Sequence, residues 1–167
     1  MPLWFVVLAQ VSILAYALLG GAFLAFSDFI MRALARTRGA GGVEAMQVIN
    51  REVFHWVFMA LFLGMVPVSL ILAGYGLAGV GAPAETLIAL AGLVYLAGCF
   101  GVTAICNVPM NQALAGMDPD AEATRHYWYG TYVPRWTRWN SVRTATCALS
   151  AGLLLVGLLW AARTGAA

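Results

Sequence analysis

The stretch LWFVVLAQVSILAYALLGGAFLAF, residues Leu3–Phe26, carries no charged side chain and only one amide, Gln10. A helix needs roughly 20 apolar residues to cross a hydrocarbon core about 30 Å thick, so this run is long enough to span a membrane. Three further runs follow it: Val53–Val80, Thr86–Cys106 and Thr144–Ala162. Their polar ends fall into step. Ser27 and Asp28 close the first run, and Asn50, Arg51 and His55 open the second. Asn107 and Asn111 close the third, and Trp136, Asn140 and Arg143 open the fourth. In an up-and-down bundle these four ends meet at one face of the membrane. Polar groups at bilayer depth need partners and tend to mark function.

Composition leads to the same class. The chain has 167 residues, of which 62% are hydrophobic and 10% charged. A soluble domain of this size cannot hide so much apolar surface. The spacing predicts an all-α fold, with spans of about 3–27, 50–78, 86–107 and 136–162 in one domain over residues 1–167. A formal charge of +2 provides no basis for binding nucleic acid.

All nine basic residues are arginine. Arg32, Arg36, Arg38 and Arg51 lie in or beside the first connection, and Arg125, Arg135, Arg138 and Arg143 in or beside the third. The second connection, Gly81–Glu85, has none. The retention of basic loops on the cytoplasmic side puts connections one and three inside and both termini outside, as expected for a bacterial inner-membrane protein. Leu3–Phe26 is too long for a signal-peptide core and lacks a basic flank, which predicts a retained first span. Cys99, Cys106 and Cys147 have no metal-type spacing and read as small packing residues.

The helices are expected to continue beyond the membrane on the arginine side. Span one is expected to run through Phe29–Ala35 to the helix-breaking Gly39–Gly42 loop, and span two to begin near Val43, where Glu44, Met46, Gln47 and Val48 suit a helix start. Pro67 lies inside span two, where neighbours must satisfy the carbonyl it leaves free. Asp118-Pro119 reads as an N-cap and first-turn pair opening a short interfacial helix through Tyr132. Pro134 is then expected to restart the chain. Tyr127, Trp128, Tyr129, Tyr132, Trp136 and Trp139 form an aromatic belt suited to a membrane interface. Trp136 differs from the rest, because helical spacing puts it on one stripe with Asn140 and Arg143.

Phe26-Ser-Asp-Phe-Ile-Met-Arg32, Ala45-Met-Gln-Val-Ile-Asn50, Asn107-Val-Pro-Met-Asn111 and Trp136-Thr-Arg-Trp-Asn-Ser-Val-Arg143 stand in this order along the chain. The sequence resembles the anthrone oxygenase-like (DUF1772) integral membrane proteins, and the resemblance covers nearly its whole length. It implies a four-helix membrane fold and, for some members, oxidation of anthrones to anthraquinones by O₂ without an organic cofactor. Such chemistry needs a base, donors for an enolate oxygen and a dry, flat pocket. Asp28 or His55 would act as the base and Arg143 as the charge stabiliser, making these three the catalytic candidates. Asn50, Asn107, Asn111 and Asn140 would donate to a substrate, with Trp56 and Trp136 stacking on its rings.

Each residue also has a structural reading. Asp28 suits an ion pair with Arg51 or Arg143, and the asparagines suit interhelical hydrogen bonds worth about 0.6–2 kcal/mol each. No cofactor or metal is expected. The competing metal reading joins His55, His126 and Asp28 around iron or copper. Three functional readings therefore stand: an oxygenase for a hydrophobic aromatic or quinol-like molecule, a non-catalytic accessory subunit of a larger membrane complex, and a binder of a lipophilic ligand. Small-residue faces such as Gly20, Gly21 and Ala25 leave room for a homodimer or another partner.

Overall fold

A computed structural model describes residues 1–55, 57–79 and 82–165. Five helices account for nearly all of them: α1 (Leu3–Leu34), α2 (Gly41–Glu52), α3 (Val57–Ala78), α4 (Pro83–Ala115) and α5 (Glu122–Arg163). All but α2 are long and apolar enough to cross a membrane, and no strand occurs among the described residues. At 1.5 Å per residue, the 42 residues of α5 reach about 63 Å, roughly twice the hydrocarbon thickness. The excess forms a cap at the arginine-bearing end.

The bundle lacks the polar outer face of a soluble one. On α1, Leu3, Val7, Val11, Leu14 and Leu18 face outward, while Phe5, Ala9, Ser12, Tyr16 and Leu19 are buried. The outer face is about as apolar as the inner one, as lipid requires, and the interior holds the hydroxyls of Ser12 and Tyr16. Tyr16 and Ser69 share a 2.7 Å hydrogen bond between α1 and α3. Tyr95 donates to the Phe62 carbonyl at 2.7 Å, next to the turn that Pro67 disturbs. Helices α3 and α4 approach closely at Gly92, where a Cβ would collide with the Ser69 carbonyl. Close backbone approach through small residues is how helices gain dispersion energy when lipid removes the hydrophobic incentive to associate.

The ends of the spans depart from the predicted boundaries in three places. Span two does not begin at residue 50. Helix α2 stops at Glu52, Val53–His55 turn, and α3 starts at Val57. One straight helix cannot serve both neighbours, because Gln47 ties α2 to the end of α4 by donating to the Leu114 and Met117 carbonyls at 2.9 Å each. Asp118 does not cap the interfacial helix; its carboxylate accepts from the Asp120 N–H at 3.1 Å within the preceding turn, and Ala121 occupies the cap position.

Nor does Pro134 restart the chain. The interfacial segment and span four are one helix, because a widened π-helical turn over Trp128–Tyr132 immediately precedes Pro134. Widened turns also occupy Phe26–Ile30, Tyr95–Gly101 and Thr103–Asn107. Such turns rotate the helix face that follows them and recur at functional sites.

Candidate functional site

Helix α5 presents a single inward stripe of Tyr132, Trp136, Asn140, Arg143 and Cys147, at spacings of three and four residues. Arg143 is 6% exposed. Its Nη2 donates to Asn140 Oδ1 at 2.5 Å, and its Nη1 donates to Thr103 Oγ1 on α4 at 3.3 Å. The rings of Phe23 and Trp136 lie 4.3 and 5.3 Å from the guanidinium carbon, a cation–π enclosure that offsets part of its desolvation. Among the described residues the ion pairs are Arg32–Asp28 and His55–Glu52, so no carboxylate neutralises Arg143.

An amide and hydroxyl chain surrounds this charge. Asn140 Nδ2 donates to the Phe23 carbonyl and to Ser27 Oγ, both at 2.6 Å, joining α5 to α1 at its widened turn. Asn107 Nδ2 donates to the Trp136 carbonyl at 3.3 Å. Asn111 Oδ1 accepts from both the Tyr132 hydroxyl and Trp136 Nε1 at 2.8 Å. Asn50 Nδ2 on α2 donates to the Tyr132 hydroxyl at 3.3 Å.

The crossing of α4 and α5 has a local symmetry. Asn107-Val-Pro-Met-Asn111 and Tyr132-Val-Pro-Arg-Trp136 each begin on the last residue of a widened turn, with proline second in the regular helix that follows, and each places two side chains one turn apart toward the other. Two buried polar atoms remain without a hydrogen-bond partner here: Arg143 Nε and Asn107 Oδ1.

Of the residues expected at the site, Asn50, Asn107, Asn111, Trp136, Asn140 and Arg143 come together. Asp28 and His55 do not. Asp28 follows Ser27 by one residue, so the helix turns it about 100° away from the bundle. It pairs on the exposed surface with Arg32 at 3.0 Å, rather than with Arg51 or Arg143. His55 sits in the exposed turn after α2, its Nδ1 3.4 Å from the Glu52 carboxylate. Trp56 lies outside the described residues. His126 is exposed on α5, and no three His, Cys, Asp or Glu side chains gather into a metal-binding group among the described residues. His55, His126 and Asp28 are thus not assembled around one point.

Three participants were not singled out from sequence: Tyr132, Thr103 and Phe23. Tyr132 was absorbed into the aromatic belt, yet extending the Trp136–Asn140–Arg143 stripe by one turn reaches it. Thr103 sits one turn before Asn107 by the same rule. Phe23 gave no such signal, since only tertiary packing brings its ring to the guanidinium.

Four apolar helices enclosing a buried arginine and amide network define a small integral membrane protein with a polar site at one end of its bundle. The profile of the anthrone oxygenase family matches residues 51–153. The chain belongs to that family. No curated protein and no solved structure matches it.

Proposed function

We propose that this protein is a cofactor-independent membrane oxygenase that binds a hydrophobic aromatic ketone or phenol at Arg143. The observation that carries the reading is a buried arginine with no counter-carboxylate among the described residues, held between two aromatic rings, with Nε and the nearby Asn107 Oδ1 unpartnered. A charge in that state gains most from an oxyanion that forms beside it, which is the requirement for enolising an anthrone-like substrate. Stabilising the enolate oxygen acidifies the adjacent C–H enough for water or hydroxide to take up its proton. Reaction of that CH₂ carbon with one O₂ then yields a carbonyl and one water, with no added reductant. Phe23 and Trp136 supply flat surfaces for a ring system, and the hydroxyl and amide chain of Tyr132, Asn111 and Asn50 orients its polar edge. In this reading Asp28 and His55 serve the surface and not the chemistry.

The arginine-rich connections support an orientation with this end at the cytoplasmic leaflet of a bacterial inner membrane and both termini outside. Purified protein in mild detergent, supplied with an anthrone, should consume O₂ and form the quinone, and Arg143→Lys should abolish that reaction while the protein stays folded. A second reading has its own support. Nearly every donor in the network already has a partner within the chain, as a purely structural cross-brace would. If the wild-type protein is inert toward anthrones and Arg143→Lys only lowers its melting temperature, the network is a brace and the accessory-subunit reading replaces the oxygenase.

A further inference from the structure

Helices α4 and α5 cross as a ladder with a rung at each turn. Asn111 meets Tyr132 and Trp136, Asn107 meets the Trp136 carbonyl, and Thr103 meets Arg143. The next rung toward the bundle centre is a pair of thiols, with Cys147 Sγ 3.4 Å from Cys99 Sγ. Steps of four residues drift around a helix of 3.6 per turn, and the widened turns Tyr95–Gly101 and Thr103–Asn107 take up that drift. The two backbones come close at the same level, where a Cβ on Gly98 would collide with the Thr146 side chain. Behind Cys147, a Cβ on Gly20 of α1 would sit 3.2 Å from the Cys147 Cβ, so this side chain has no room to withdraw toward α1. Both sulfurs belong to free, fully buried thiols, whereas Cys106 is half-buried.

We propose that Cys99 and Cys147 form a redox-active dithiol that hydrogen peroxide closes to a disulfide, latching α4 to α5 one rung from Arg143. One sulfur attacks a peroxide oxygen, the O–O bond breaks, and the thiol proton leaves with the departing oxygen as water. The second sulfur displaces the hydroxyl of the resulting sulfenic acid, and its own proton completes a second water. One peroxide is thus reduced to two waters while two thiols become one disulfide. Attack needs thiolate character, which a nearby cation promotes, and Arg143 stands one turn from Cys147 with no carboxylate to hold it among the described residues. Burial then selects the reactants. Hydrogen peroxide is small and uncharged, whereas glutathione is charged and bulky and cannot reach sulfurs that expose no surface. The bond once formed is therefore shielded from the soluble thiols that reduce exposed disulfides. The latch does not depend on what binds at Arg143.

The test is intact mass spectrometry of the full chain in mild detergent, first reduced and then treated with hydrogen peroxide, with Cys106→Ser leaving the pair alone. The mass should fall by two hydrogen atoms, and maleimide added in SDS should find no thiol where the untreated protein offers two. Peptide mapping of the unsubstituted chain should show the same Cys99–Cys147 cross-link, so the result does not hang on that substitution. Oxidised glutathione at the same concentration should leave both thiols free. Reduced glutathione should reopen the peroxide-formed bond only after SDS has unfolded the chain. Thiols that stay maleimide-reactive after peroxide, or that gain oxygen without bonding to each other, would overturn the proposal. So would a cross-link between two chains, seen as a dimer on a non-reducing gel. Closure by oxidised glutathione as fast as by peroxide would overturn the selection by burial.

Discussion

Arg143 and Asn140 stand one turn apart on α5, and the amide between them divides its work: Oδ1 accepts from the guanidinium while Nδ2 donates to the Phe23 carbonyl and Ser27 on α1. One side chain therefore couples the buried charge to the opposite helix. Widening of α1 at Phe26–Ile30 disturbs the regular ladder just beyond Phe23, where Asn140 docks. Charge placement and helix geometry are thus one feature of the fold.

Arg143→Lys preserves the charge but not the planar fork. A lysine ammonium cannot hold Asn140 and Thr103 while lying flat between Phe23 and Trp136. We predict that turnover of an anthrone falls by about 10²-fold or more, as on removing an oxyanion donor. An oxygen electrode with detergent-solubilised protein measures this, and activity within a few-fold of wild type would remove Arg143 from the mechanism.

Tyr132→Phe deletes the hydroxyl that Asn111 accepts and Asn50 binds. The loss of stability should be about 1–2 kcal/mol, since two partners lose their bond in a desolvated place. A double-mutant cycle of Tyr132→Phe with Asn111→Ala, followed by thermal melting, should give a coupling of about 1 kcal/mol, and additive effects would contradict the observed bond.

Asp28→Asn and His55→Ala remove exposed polar partners of Arg32 and Glu52, which are also exposed. Each should change stability by less than about 0.5 kcal/mol. Turnover should stay within about twofold of wild type, as expected for surface positions away from the reacting atoms. A steady-state rate lowered by orders of magnitude in either variant would return that residue to the role of base.

Gly92→Ala and Gly64→Ala form a contrasting pair. A methyl at Gly92 meets the Ser69 carbonyl, whereas one at Gly64 meets nothing within 4 Å. The first should cost about 1–3 kcal/mol by forcing α3 and α4 apart. The second should be neutral or stabilise by up to about 1 kcal/mol through helix propensity. Melting curves in one detergent separate the two outcomes.

Much of this was legible without coordinates. Apolar run length determined four membrane spans, because hydrocarbon thickness sets the number of residues a crossing helix needs. The position of Asn107, Asn111, Asn140 and Arg143 at matching ends of their runs determined that a polar cluster would form at one end of the bundle. The spacing of Trp136, Asn140 and Arg143 put all three on one face of α5. What sequence could not convey was rotation. Ser27 and Asp28 are neighbours in the chain, yet Ser27 reaches Asn140 while Asp28 turns out to Arg32. Four widened turns shift the phase of α1, α4 and α5 in ways that residue counting at 3.6 per turn does not anticipate. Only the tertiary structure decided that Phe23 and Trp136 enclose the guanidinium, that Tyr132 joins the amide chain and that His55 stays outside, because each outcome depends on how neighbouring helices pack against those faces.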